Sequence, residues 1–153
     1  MARIDDIPEP TRTAVLGLPI PPVAAPVFVA GPPLAQRRVA LVSSAALFRR
    51  GEAPFPPGSG EFHALPADLA PGDILMSHVS INFDRSGWQR DRNVAFPIDR
   101  LRELAAEGAI RDVAPTHYSV MGSTDPKDMA ASAEAIAANM RAEGIGAAVL
   151  VPV

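Results

Sequence analysis

Short apolar runs broken by proline, glycine and serine set the rhythm of the chain from residue 38 onward. Residues 39–42 (VALV), bounded by Ser43 and Ser44, read as a first buried strand. Residues 45–50 read as a helical turn, and 51–60 (GEAPFPPGSG) as a loop by composition. Two further short strands are predicted at 62–65 (FHAL), ended by Pro66, and at 74–76 (ILM), after a Pro71-Gly72 turn. Apolar residues at Ile98, Leu101, Leu104 and Ala105 follow the helical spacing, with Pro97 at the start and Gly108 at the stop, so 98–107 is an amphipathic helix. A strand at 110–114 follows. Asp125 before Pro126 then reads as an N-cap with proline at the first helical position, opening a helix through 130–142 that Gly144 closes. Residues 149–151 (VLV) form a final buried strand. Two polar stretches interrupt this pattern, 77–97 and 115–125, and both read as loops at strand ends.

The order strand, loop, strand, helix, strand, helix, strand predicts an α/β protein. The expected layout is a three-layer Rossmann-like or flavodoxin-like fold with a mostly parallel sheet. Residues 38–153 make up this domain. Residues 1–37 carry dense proline (Pro8, Pro10, Pro19, Pro21, Pro22, Pro26, Pro32, Pro33) and are expected to form an extended arm. Apolar residues between those prolines favour an arm docked on the domain or on a neighbouring subunit over free disorder.

With 153 residues the chain has enough for one domain with a real core, and 48% hydrophobic against 5% aromatic residues makes that core mostly aliphatic. A net charge of -3 argues against non-specific nucleic-acid binding. No apolar run reaches bilayer length, and the acid- and proline-bearing N-terminus lacks the pattern of a signal peptide, so a cytoplasmic protein is expected. There is no cysteine, which removes disulfides, thiolate metal sites and a cysteine nucleophile from these residues. Neither a dinucleotide fingerprint nor a P-loop is present, and the histidines lack metal-ligand spacing, so no nucleotide or metal cofactor is expected.

His78 follows the third strand and His117 the next, the ends at which open α/β sheets bind ligands. If those strands are parallel neighbours, both imidazoles face one crevice and can handle protons near neutral pH. The alternative for each is a loop-capping hydrogen bond. Asp84, Asp91 and Asn93 are candidates for holding a substrate ammonium or orienting the histidines, and Asx turns are the alternative. Tyr118 and Ser119 are candidate donors to a carboxylate or oxyanion. Arg85, Arg90 and Arg92 alternate with acids and read as a surface ion-pair lattice, while His63 reads as structural.

Three motifs are more specific than these parts: S-H-x(5)-D at Ser77, His78 and Asp84; D-x-N-x-x-FPID-x-L over 91–101; and AP-x-HYS-x-MG over 114–122, followed by GIGAAVLVPV. Together they resemble the selenoprotein B family of glycine, sarcosine and betaine reductases and its D-proline reductase small-subunit relatives, over roughly residues 38–153. The segment PIPPVAAPVF is similar to the proline-rich lead-in of the latter. The resemblance implies reductive cleavage of a carbon–nitrogen bond in an amino-acid-like substrate, by a selenocysteine or cysteine that a partner thiol or selenol later releases. It also implies other reductase subunits or a carrier protein as partners.

In the family that nucleophile follows almost directly after the strand reading VLVPV here, so in this chain it is expected beyond Val153. A UGA selenocysteine codon read as a stop would produce such a truncated chain, inactive alone; a UAA or UAG codon after Val153 would sink that idea. The alternative is a non-catalytic α/β ligand-binding or scaffolding module. A sheet ending on an apolar strand with one face and edge uncovered is expected to form homo- or hetero-oligomers.

Overall fold

The computed structural model describes residues 4–17, 29–80, 83 and 85–153. Its centre is β1 (Arg38–Ser43), the VALV run, in which Val39, Ala40 and Leu41 are almost fully buried. Strand β7 (Ile145–Val151) pairs with β1 in parallel along its whole length, from Arg38 opposite Ile145 to Ser43 opposite Val151. The other edge of β1 pairs, also in parallel, first with β5 (Asp112–Val113) and then with β6 (Thr116–Val120). Outside β6 lies β3 (Phe62–Pro66), antiparallel to it. A second, two-stranded antiparallel sheet joins β2 (Leu47–Arg49) to β4 (Ile74–Met76).

Alternation along β1 sends its side chains to two faces. Val39 and Leu41 pack in the main core with Phe96 and with Ile98 and Leu101 of α3 (Ile98–Ala106). Burying a leucine such as Leu101 contributes about 2 kcal/mol. Val42 points the other way, into a cluster with Tyr118, Val120 and Ile136 of α4 (Ala130–Ala142). The two helices therefore cover opposite faces. The architecture is α/β, a mixed sheet with helices, curled as a half-barrel.

The main sheet is mostly parallel as expected, with β3 antiparallel, but its curled form does not confirm a Rossmann-like or flavodoxin-like layout. No helix returns the chain after β1. Instead Ala46 adopts a left-handed conformation (φ 52°), its N–H bonded to Val120 O at 2.9 Å and its carbonyl taken by Ser77 N–H at 3.0 Å. That turn throws the chain into β2, where a helical turn was expected at 45–50. It also leaves β3 to return antiparallel.

The expected loop at 115–125 is also replaced. Residues 117–120 of β6 are buried. His117 Nδ1 and Ser119 Oγ accept backbone N–H groups of Leu41 and Leu47, while His117 Nε2 and the Tyr118 hydroxyl have no partner among the described residues. The polar stretch 77–97 holds a short helix, α2 (Arg85–Arg90), and a 3₁₀ turn at Arg92–Val94. In the N-terminal segment a 3₁₀ turn at Ile4–Asp6, a helix at Thr11–Leu16 and a 3₁₀ turn at Leu34–Gln36 stand where extended chain was expected. The prolines between 19 and 26 lie outside the described residues.

One close approach fastens α4 to β3. A Cβ on Gly60 would lie 2.2 Å from the Asp128 carbonyl oxygen, and Ser132 Oγ donates to Gly60 O at 2.6 Å. Gly60→Ala is therefore expected to cost about 2–3 kcal/mol, with the melting temperature falling by about 5–10 °C. A melting temperature equal to wild type would contradict this packing.

Candidate functional site

The carboxyl ends of the three parallel strands β1, β6 and β7 meet around two adjacent serines. Ser43 is fully buried; its Oγ donates to Ala95 O at 2.7 Å and accepts Ala45 N–H at 3.3 Å. Ser119, also fully buried, donates from Oγ to Ser43 O at 3.0 Å and accepts Leu47 N–H at 2.8 Å. Both hydroxyls satisfy backbone groups that the break between the two sheets would leave unpaired. Ser44 is next. Its N–H donates to Val151 O at 3.0 Å, its carbonyl accepts Gly122 N–H at 2.9 Å, and its Oγ accepts Val153 N–H at 2.8 Å. It thus ties the exit of β7 to the exit of β6.

His78 comes to this end from the loop after β4. It is 5% exposed, its ring lies 5.6 Å from that of Phe83, and its Nδ1 accepts Ser80 N–H at 3.1 Å. Arg85 donates to the His78 carbonyl. An Nδ1 that accepts from a backbone N–H cannot carry a proton, so the neutral ring bears its hydrogen on Nε2. That Nε2 is buried and has no hydrogen-bond partner among the described residues. Burial, then the Arg85 charge, push the His78 pKa below the usual histidine value. A hydrogen-bonding contribution from the Val153 backbone, outside ordinary hydrogen-bond geometry, works the other way. His78 is thus a neutral N–H donor beside the chain leaving β7.

His117 lies elsewhere. It sits inside β6, fully buried, edge-on to Phe96 at 5.4 Å. Its Nδ1 accepts Leu41 N–H at 2.9 Å, in the gap of the β1 ladder between its pairings with β5 and with β6. Burial, with a smaller contribution from Arg102, lowers its pKa to about 4. The two histidines share no described neighbour: one stands among Ser80, Phe83, Arg85 and Val153, the other among Leu41, Phe96 and Arg102. The condition set for a shared crevice, parallel neighbouring strands before the two histidines, is not met: β4 pairs antiparallel with β2 in the second sheet, and His117 lies within β6.

The remaining candidates are also dispersed. Tyr118 faces α4, its ring 5.9 Å from Phe62 and its hydroxyl buried; burial, then the Glu143 charge, raise its pKa. Asp91 caps the 3₁₀ turn at Arg92–Val94, accepting Asn93 N–H and Asn93 Nδ2–H, both at 2.8 Å. Asn93 in turn bridges to Asp99, which also takes Arg92 at 2.8 Å and Arg102 at 2.8 Å. These residues line a cleft of about 430 Å³ beside Trp88, away from the serines. Asp84 lies outside the described residues.

Arg92, Asn93 and Arg102 hold the Asp99 carboxyl down at about 2. A carboxylate lowered in the fold stabilises it above its unfolded pKa, and that contribution is lost as pH falls through 4 toward 2. Asp99 is partly exposed, and solvent screening leaves about 1 kcal/mol. Asp99→Asn is expected to cost that amount at pH 7 and about a third of it at pH 2.5, as read from urea titrations. An equal cost at both values would show that the charge is immaterial.

Ser44 and Gly122 were not among the candidates. The signal for Ser44 was the serine pair at the carboxyl end of the first predicted strand; for Gly122 it was the Met-Gly pair closing the HYS motif. Among the described residues no group of three or more His, Asp or Glu converges to hold a metal ion, and no helix is long and apolar enough to cross a membrane.

Residues 68–153 match the family model described as glycine/sarcosine/betaine reductase selenoprotein B. Over 133 residues the chain is 32% identical to D-proline reductase subunit gamma of Acetoanaerobium sticklandii, a match covering 85% of this chain and 53% of that protein. The chain therefore spans about half the length of the curated relative it matches. No solved structure matches it significantly.

Proposed function

Since the chain belongs to the glycine/sarcosine/betaine reductase selenoprotein B family, we propose that it serves a reductase subunit that cleaves a carbon–nitrogen bond in an amino acid or related amine. Glycine, sarcosine, betaine and D-proline define the substrate class. The observation that carries this reading is the Nε2–H of His78, buried without a hydrogen-bond partner among the described residues and next to the chain leaving β7.

In this reading a selenocysteine or cysteine follows β7, beyond Val153, and residues 1–153 alone lack the redox nucleophile. The selenolate or thiolate attacks the carbon that bears the amine. The carbon–nitrogen bonding pair moves to nitrogen, which leaves as a neutral amine if it entered as an ammonium. A second thiol or selenol, from a carrier protein or a neighbouring subunit, then attacks the sulfur or selenium. The pair returned to carbon takes a proton from water, and the two chalcogens are left joined and oxidised. Because Ser80 N–H occupies Nδ1, His78 contributes a neutral hydrogen-bond donor to an anion rather than a proton shuttle. That anion is the nucleophile or the substrate carboxylate.

His117 acts through the fold, holding Leu41 and the β1–β6 register. Asp91 and Asn93 shape the loop rather than grip an amine. An apolar groove of about 290 Å³ between α4 and β7, with Leu150 72% exposed beside it, supports assembly with another subunit. The reduced thiols such a cycle consumes are those of the cytoplasm.

The test is a thiol-consumption assay on a chain extended past Val153 by the selenocysteine or cysteine, offered each of the four substrates. Stoichiometric thiol oxidation with amine release, or ring opening for proline, is the expected result. Amino-acid binding without any thiol consumption would overturn the reading.

A further inference from the structure

We infer that Ser44 is a positioning residue that sets the path of the chain leaving β7 past His78, with Gly122 as the backstop that holds Ser44 in place. The inference rests on the reading that the nucleophile-bearing segment follows β7.

Three close bonds converge on Ser44, and its hydroxyl also lies 3.5 Å from the carbonyl oxygens of Val151 and Val153. Its own N–H closes the last rung to Val151 O at 3.0 Å, and its hydroxyl oxygen accepts Val153 N–H at 2.8 Å. Its carbonyl accepts Gly122 N–H at 2.9 Å. The approach from Gly122 is so close that a Cβ there would stand 2.8 Å from Ser44 O and 3.0 Å from Ser44 Oγ. No residue larger than glycine leaves Ser44 where it is.

The Ser44 hydroxyl reaches beyond the regular ladder. Residues 152 and 153 have left the strand, and past Val151 the Oγ supplies the acceptor that a partner strand no longer offers. The Val153 side chain packs against the main core, so the segment is held from both sides. Consecutive Cα atoms are about 3.8 Å apart. A residue placed next after Val153 therefore inherits its position from this anchor, and a displacement of about 1 Å in a reacting group can cost about 100-fold in rate.

The experiment compares wild type with Ser44→Ala, Ser44→Thr and Gly122→Ala. Amide exchange at Val153 and the NMR titration of the His78 ring are read in the 153-residue chain, and turnover in the extended chain. Loss of the hydroxyl is expected to speed Val153 exchange at least tenfold and to move the His78 midpoint up by about 0.5 pH unit or more as the ring gains water. Gly122→Ala is expected to do the same, and threonine, which keeps the hydroxyl, to restore both. In the extended chain Ser44→Ala is expected to lower kcat with KM little changed.

Unchanged Val153 exchange and His78 titration in folded Ser44→Ala would overturn the anchor. Lost anchoring with unchanged kcat would overturn its positioning role. A wild-type extended chain without turnover would instead overturn the reductase reading, leaving the exchange and titration arms to decide the anchor alone.

Discussion

Replacing His117 by leucine is expected to cost about 2 kcal/mol at pH 7 and to flatten the acid side of the stability profile. The leucine fills much of the same space, but the fully buried Leu41 N–H loses the acceptor it has among the described residues, the penalty expected of an unpaired buried donor. The pH dependence follows from the depressed pKa. Folded His117 titrates near 4, against an ordinary value of 6.5. Between those values the unfolded chain takes up a proton that the folded chain refuses. Stability is therefore full above pH 6.5 and is lost as pH falls toward 4, by about 3 kcal/mol for the whole interval. His78, also lowered, adds to the same slope.

Urea unfolding at pH 7, 5.5 and 4.5 checks this. Wild type is expected to lose stability steeply across the series, and His117→Leu to lose much less, so the two curves approach or cross near the acid end. Parallel curves would show that the imidazole is not what titrates. The same measurement separates the two roles weighed for this residue: a group whose removal changes the fold's pH dependence in the absence of any substrate is acting on the fold.

His78→Leu, which removes the donor, should reduce turnover in the extended chain by about 100- to 1,000-fold, the usual loss when a preorganised donor to a developing or resident anion is removed. The loss is expected mainly in kcat. Above pH 7 the wild-type rate should show no inflection from this ring, because its pKa is held below the ordinary value by burial and by Arg85. Turnover of the variant within threefold of wild type would remove His78 from the reaction.

Several elements could be read from residue order alone. The helix at Ile98–Ala106 was legible because its apolar spacing, proline start and glycine stop are all local. The buried strand of 39–42 and the Asp125-Pro126 helix entry were legible for the same reason. The family was readable too, from motifs that stay contiguous whatever the fold does with them.

The misread elements are those in which a polar run is satisfied from far away. Thr116, His117, Tyr118 and Ser119 have the composition of a loop, yet they form a buried strand, because Leu41 and Leu47, more than 70 residues earlier, supply the N–H groups that His117 and Ser119 accept. The turn at Ala46 was equally invisible. Nothing in Ser-Ala-Ala announces a left-handed residue, and the bonds to Val120 and Ser77 that hold it come from other strands.

The sequence by itself determined the buried strand at 39–42, the two helices that cover the sheet, and the family to which the chain belongs. It did not foresee that 116–120 is a buried strand or that Val149 and Leu150 of the last strand are exposed. Tertiary structure alone decided where the two histidines stand, His78 in the loop after β4 beside Val153 and His117 within β6, its Nδ1 plugging a gap in the β1 ladder. The reason is physical: periodicity reports how a segment meets the core, whereas the partner of a buried polar atom is set by strand register, which pairs residues that are distant in sequence.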